Sequence, residues 1–165
     1  MRGLAKAVAV VMFAAAGLAA CDRPSDAAPS ASYDTSAASN AKFLADYAAR
    51  TDAKKTASGL MYRVIKAGTG PAVIRDSDVV TVYYKGMLIN GKVFDQTKPE
   101  EAATFMTGGL IPGWVEALKL MKTGDTWEIV VPSELGYGAD GAGDAIPPDQ
   151  TLIFTMSLVK VEYAN

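Results

Sequence analysis

Residues 135–154, LGYGADGAGDAIPPDQTLIF, carry the glycines of a loop that could hold phosphate. A phosphate cradle needs GxxxxGK[ST] or GxGxxG after a strand, then a helix whose first amides face the anion. Here the glycines run into Pro147-Pro148 and an apolar stretch of strand character. No lysine follows, and Asp140, Asp144 and Asp149 would repel phosphate. The nucleotide reading fails, leaving a plain flexible loop or a shaped rim. Two prolines fix their own φ and restrict the residues before them, which favours the rim. The remaining chemistry is narrow. The chain has no histidine and one cysteine, Cys21. That removes most metal sites, any Ser-His or Cys-His nucleophile pair, and any internal disulfide. No metal or cofactor is implied, and catalysis must proceed without a histidine base. The formal charge is −2, from 16 Lys and Arg against 18 Asp and Glu. Nucleic acid is a poor partner for such a chain, because phosphate neutralisation needs clustered cations.

The elements that must position any site are mostly strands. At 165 residues, half of them hydrophobic, the chain suits one domain with appendages. From Gly59 onward, LMYRVIKAG, DVVTVYYKGML, KVFD, ATFMT, TWEIVVP and TLIFTMSLVKVE read as strands. Val80, Val82 and Tyr84 fall on one face, with Val79, Thr81 and Tyr83 on the other; Leu152, Phe154, Met156 and Leu158 share a face. Asn90-Gly91 predicts a hairpin turn. One segment, LIPGWVEALKLMKTG, is helical: Pro112 suits its first turn, Gly124 its end, and Trp114, Val115, Leu118 and Met121 form its apolar stripe. The expected fold class is α+β, a curled antiparallel sheet of five to six strands wrapped around one short amphipathic helix.

The sequence before Gly59 divides into three. Residues 1–20 begin with Arg2 and Lys6 and continue as a small, apolar run that is short for a bilayer span, so they read as an export signal. Residues 21–40, rich in Ala, Ser, Asp and Pro, read as a flexible tether. Residues 41–58 read as a short helix and linker, with Asn40 as cap. Phe43, Leu44 and Tyr47 lie on one side of that helix, which either docks on the domain or pairs with a second copy. LAAC at residues 18–21 resembles the bacterial lipobox, which implies lipidation of Cys21 and membrane anchoring; a cleaved signal with an accidental cysteine is the alternative. By the same resemblance Asp22 favours the periplasmic side of the inner membrane, with the outer membrane left open.

The chain from Gly59 to Glu162 resembles the FKBP-type peptidyl-prolyl cis-trans isomerases. The similarity rests on an ordered series: VTVYYKGML, GKVFD, FMTGGLIPGWVEAL, MKTGD and VPSELGYGADGAGDAIPPDQTLIF. The upstream ASGLMYRVIKAGTG resembles the membrane-associated macrophage infectivity potentiator branch, whose long dimerisation arm is reduced here. The resemblance therefore implies a monomer, with a dimer as the alternative, and an isomerase domain over residues 59–163.

Position by position, the resemblance makes Tyr84, Phe94, Phe105, Leu110, Ile111, Trp114, Ile146 and Phe154 the apolar substrate-binding lining, with Trp114 as floor. Asp95 and Tyr137 supply polar groups, and the Ile111 amide a donor. Asp95, Tyr137, Trp114 and Phe154 are the residues it points to for catalysis. Ordinary core packing is the competing reading for the apolar side chains, and turn capping for Asp95. Ala103, Ala142 and Ala145 stand where larger side chains are common in the family, which predicts a wider mouth. The implied activity is rotation of X-Pro bonds in unfolded, exported polypeptides at the cell envelope, with macrolides of the rapamycin and tacrolimus class as ligands. A weakly catalytic chaperone or adaptor, or a surface lipoprotein acting by contact, are the alternatives.

Overall fold

The structure, a computed structural model, describes residues 33–164. The expected signal, Cys21, Asp22 and the tether as far as residue 32 lie outside the described residues. The elements are α1 (Ala37–Ala48), β1 (Lys54–Lys55), β2 (Met61–Lys66), β3 (Val79–Leu88), β4 (Val93–Gln96), β5 (Ala103–Met106), α2 (Pro112–Leu120), β6 (Thr126–Val131) and β7 (Leu152–Glu162). One antiparallel seven-stranded sheet runs β1-β2-β6-β7-β3-β4, with β5 pairing on β3. The strand beyond the expected six is Lys54–Lys55, which was read as linker.

The two-residue period of β3 and β7 separates the faces of the sheet. Val80, Val82 and Leu88 of β3, with Leu152, Phe154, Met156 and Leu158 of β7, are buried in one cluster with Trp114, Ala117 and Leu118 of α2. A register shift between Thr81 and Val82 lets the alternation resume beyond it, so that Val161 returns to the inner face. Met87, Ile89, Val130 and Ile153 point the other way and are covered by Phe43 and Tyr47 of α1. The order is thus helix, sheet, helix. It explains why TWEIVV is buried at five successive positions, since both faces of β6 are covered.

Two helix boundaries differ from expectation. Asn40 is not the cap of the first helix: Ser36 is, its hydroxyl accepting from the Ser39 N–H, and the helix begins within the segment read as tether. Asn40 lies inside α1, buried against Gln150 and Thr151. The apolar side of α1 docks on its own sheet, held also by the Tyr47 hydroxyl, which donates to Glu128 Oε1 at 3.0 Å. Arg63 engages the same carboxylate through Nε at 2.8 Å and Nη2 at 3.2 Å. Burial, and then the charge of Glu128, push the Tyr47 hydroxyl well above the ordinary tyrosine range.

The second helix stops at Leu120, before Gly124. Met121 is already extended (φ −84°, ψ 157°), because the next residues pair elsewhere: Lys122 bridges Ala72, and the Thr123 N–H donates to Pro71. Gly124, at φ 94°, makes the following turn.

Candidate active site

An open cleft of about 270 Å³ lies where α2 begins, lined by Tyr84, Phe94, Asp95, Phe105, Gly109, Leu110, Ile111, Trp114, Tyr137 and Phe154. Six segments deliver these side chains. Tyr84 comes from β3, Phe94 and Asp95 from β4, Phe105 from β5, Leu110, Ile111 and Trp114 from the entry and first turn of α2, Tyr137 from the connection between β6 and β7, and Phe154 from β7. Pro112 at the start of α2 is the sequence reason that the helix begins here, with Trp114 two residues on in the same first turn.

Trp114 and Phe154 are the deepest of the lining residues, with 4% and 3% exposure, and form the floor. The other rings stand edge-on to them. Tyr84 meets Trp114 at 5.0 Å between centroids and 83°, Phe105 meets it at 6.1 Å and 86°, and Phe154 at 5.1 Å and 85°. Phe94 closes the set against Phe154 at 5.6 Å and 89°. Edge-to-face contacts add to area burial and hold each ring in one orientation. The set depends on Gly86 of β3. A Cβ there would lie 2.6 Å from Phe94 Cζ and 2.8 Å from Phe154 Cε1.

Polar groups are few. The Tyr84 hydroxyl donates to Asp95 Oδ2 at 2.6 Å. Burial raises the Tyr84 hydroxyl well above the ordinary tyrosine range, and the bond to Asp95 and the charge of Asp95 raise it further. Tyr84 therefore remains a protonated donor, occupied with Asp95, at any physiological pH. Ile111 is the N-cap of α2 and donates its N–H to no group among the described residues. The indole Nε1 of Trp114 is buried without a hydrogen-bond partner among the described residues. Tyr137 stands at the mouth, 41% exposed. Such a site offers apolar walls and a few donors to a small, uncharged group, and it holds nothing resembling a nucleophile with its base.

The glycine-rich connection is a built rim. Ala142 N–H donates to Ile146 O at 2.8 Å, and Ile146 N–H returns to Ala142 O at 3.2 Å. Gly141 has φ 63°, and a Cβ on it would come within 2.4 Å of Ile146 O. The rim leads into β7 and not into a helix, so no N-terminal amides face it from the sequence that follows.

Nine of the ten residues expected at the substrate site meet around this cleft. Ile146 does not; its side chain is packed in the inner core, and only its backbone helps to shape the rim. Gly109 joins the lining without having been foreseen. Gly86 also escaped notice, although a glycine inside an otherwise alternating strand signals close approach of another group. Ala103, Ala142 and Ala145 do not line the cleft: Ala103 lies in β5, Ala142 in the rim hairpin, and Ala145 is exposed on it.

Comparison with known proteins agrees with this geometry. Residues 70–159 match the FKBP-type peptidyl-prolyl cis-trans isomerase family, and residues 11–64 match the domain amino-terminal to such isomerases. A 22 kDa FKBP-type peptidyl-prolyl cis-trans isomerase of Escherichia coli K12 is 44% identical over 130 residues, 78% of this chain and 63% of that protein. The outer membrane protein MIP of Legionella longbeachae is 52% identical over 108 residues, 65% of this chain and 46% of that protein. The chain thus spans about half the length of the curated relatives it matches. The crystal structure of a peptidyl-prolyl cis-trans isomerase from Pseudomonas syringae pathovar tomato superposes with a TM-score of 0.71 at 36% identity, over 76% of this chain and 92% of that one.

Proposed function

This chain belongs to the FKBP-type peptidyl-prolyl cis-trans isomerase family, and we propose that it accelerates rotation about X-Pro bonds in polypeptides folding at the cell envelope. The observation that carries the reading is the aromatic cleft floored by Trp114 and Phe154, with Tyr84 and Asp95 paired on its wall.

Rotation about a peptide bond is opposed by a barrier of about 18–20 kcal/mol, the resonance lost on twisting. X-Pro bonds populate both isomers but exchange over about tens to hundreds of seconds. No bond has to break, so the protein need only bind the twisted amide better than either planar form. Twisting removes conjugation from the nitrogen and partial negative charge from the carbonyl oxygen. A less polar carbonyl loses less on leaving water for walls made of Phe94, Phe105, Trp114 and Phe154. The prolyl ring sits on the Trp114 floor. The free N–H of Ile111 donates to a substrate carbonyl and holds one side of the rotating bond. Tyr84 orients Asp95 beside the carbonyl that twists, and Tyr137 donates from the mouth.

The relative named as an outer membrane protein supports an envelope location. Anchoring through lipid on Cys21 is part of the proposal; loss of radiolabelled palmitate incorporation in Cys21→Ala tests it. The test of the activity is the cis-to-trans rate of short X-Pro peptides with the full chain, with and without rapamycin. The expected result is an acceleration abolished by excess macrolide. No acceleration by a folded chain overturns the isomerase reading.

A further inference from the structure

The rim that carries Tyr137 is fastened from outside the isomerase domain. Next to Tyr137, the Gly138 carbonyl accepts from the Asp149 N–H at 2.9 Å. Asp149 holds φ at 59°, a left-handed conformation that a non-glycine residue keeps only when its surroundings over-determine it. The two residues that follow are buried, Gln150 with 5% exposure and Thr151 with 2%. Both are bonded to one side chain of α1. Thr151 N–H donates to Asn40 Oδ1 at 2.8 Å, and Asn40 Nδ2 donates to Gln150 Oε1 at 3.3 Å. Gln150 Nε2 in turn donates to the Thr35 carbonyl at 3.1 Å and to Pro148 O at 2.9 Å. Asn40 Nδ2 also bonds the Ser36 carbonyl at 2.9 Å, so both ends of the amide are used.

We infer that Asn40 is a positioning residue for the cleft, holding the return of the rim so that Tyr137 stays at the mouth. It lines no part of the cleft and acts through Thr151, Gln150, Asp149 and Gly138. The inference rests on the proposed isomerase function. Local physics favours it over a merely helical role. Asparagine is a weak helix former whose side chain competes for backbone groups, and inside α1 this one finds its partners more than a hundred residues away. Removing it leaves the Thr151 N–H and the Gln150 amide oxygen short of a partner in a dry place, the expensive kind of loss. Phe43 and Tyr47 seat the helix, and Asn40 ties the seated helix to the rim. Whatever displaces α1 then reaches the cleft by the same path.

Two measurements on the full chain test this. In Asn40→Ala, amide hydrogen exchange over residues 138–146 should rise by roughly tenfold, with β6 changed by less than about twofold. In a double-mutant cycle with Tyr137→Phe, Asn40→Ala should lower kcat/KM on an X-Pro peptide about three- to tenfold in the original background. In the Tyr137→Phe background the loss should be under about 1.5-fold, because the residue through which it acts is already disabled. Unchanged exchange in the rim, or equal losses in both backgrounds, overturns the inference. A parent chain inactive on prolyl peptides would strike the isomerase reading alone, and the exchange result would still decide whether Asn40 holds the rim. If Asn40→Ala does not fold, Gln150→Ala removes the Asn40–Gln150 bond from the rim side, leaves the Thr151 N–H on Asn40, and should move both readouts in the same direction by a smaller amount; no movement in either overturns the inference.

Discussion

A tyrosine–carboxyl pair lies on each face of the sheet, the outer one joining α1 to it. On the outer face, Tyr47 donates to Glu128; on the inner, Tyr84 donates to Asp95. Both hydroxyls are shifted in the same direction, with burial the largest cause in each. The surroundings of the acids differ. Glu128 is buried, and Arg63 takes both of its oxygens. Asp95 is exposed at an open cleft, and its side chain bonds Tyr84 alone among the described residues. The first carboxylate is saturated by the protein and closes a helix onto the sheet. The second keeps acceptor capacity beside an open apolar cleft. Similar pairs thus close a helix onto the sheet where all partners are internal, and leave an acceptor at the surface where they are not.

Glu128→Ala is the largest break of this comparison. It removes the acceptor shared by the half-buried Arg63 guanidinium and the buried Tyr47 hydroxyl, and should cost about 3 kcal/mol of stability in a denaturant titration. A loss under about 1 kcal/mol would mean that the outer pair is no more structural than a surface ion pair. Gly86→Ala comes next and attacks the inner face from behind. The added methyl meets Phe94 and Phe154 at distances that real Cβ atoms do not show. Stability should fall by about 1–3 kcal/mol, and isomerase turnover should fall with it as the two rings move into the cleft. Unaltered turnover in that variant would mean that the ring set is not what binds the twisted amide. Asp95→Leu sharpens the contrast. Stability should stay within about 0.5 kcal/mol, as for an exposed position. The value of kcat/KM should drop about tenfold, or roughly 1.4 kcal/mol of transition-state stabilisation.

The two faces were not equally legible in the sequence. Alternation in β3 and β7 separates inner from outer side chains directly, because the strand period is two. The order of the aromatic positions around GKVFD and LIPGW pointed to most of the cleft lining, and of the expected residues Ile146 alone lies outside that lining. A buried isoleucine in a rim hairpin and one facing a cleft look alike in one dimension. The outer face was harder. Phe43 and Tyr47 make an apolar stripe, but a stripe does not say which surface covers it. Asn40 has the chemistry of a cap, and Ser36 took that role because the Asn40 amide has better partners in Gln150 and Thr151. Gly124 looked like the end of α2, yet pairing of the next residues with Pro71 and Ala72 stops the helix earlier. Lys54–Lys55 is too short to show any alternation. The misses at Asn40 and Gly124 sit where a contact distant in sequence overrode a local signal.

The smallest effect tests the same comparison through pH. A tyrosine whose folded value lies above its unfolded value of about 10 binds its proton more tightly in the native state. Its contribution to stability is complete below that pH and is lost as pH rises through the folded value. Replacing Tyr47 by Phe removes both the hydrogen bond and this titration. The stability gap between the parent chain and Tyr47→Phe should therefore be constant from neutral pH to about 10 and shrink above it. Tyr84→Phe should behave in the same sense but with a smaller gap, because Tyr84 is only half-buried while Tyr47 is buried. Parallel denaturant titrations between pH 7 and 11 would show it. Gaps that close equally for the two variants would mean that the cleft-side pair is as dry as the pair under α1. A dry cleft-side pair would leave Asp95 without the open acceptor site that the isomerase reading assigns to it.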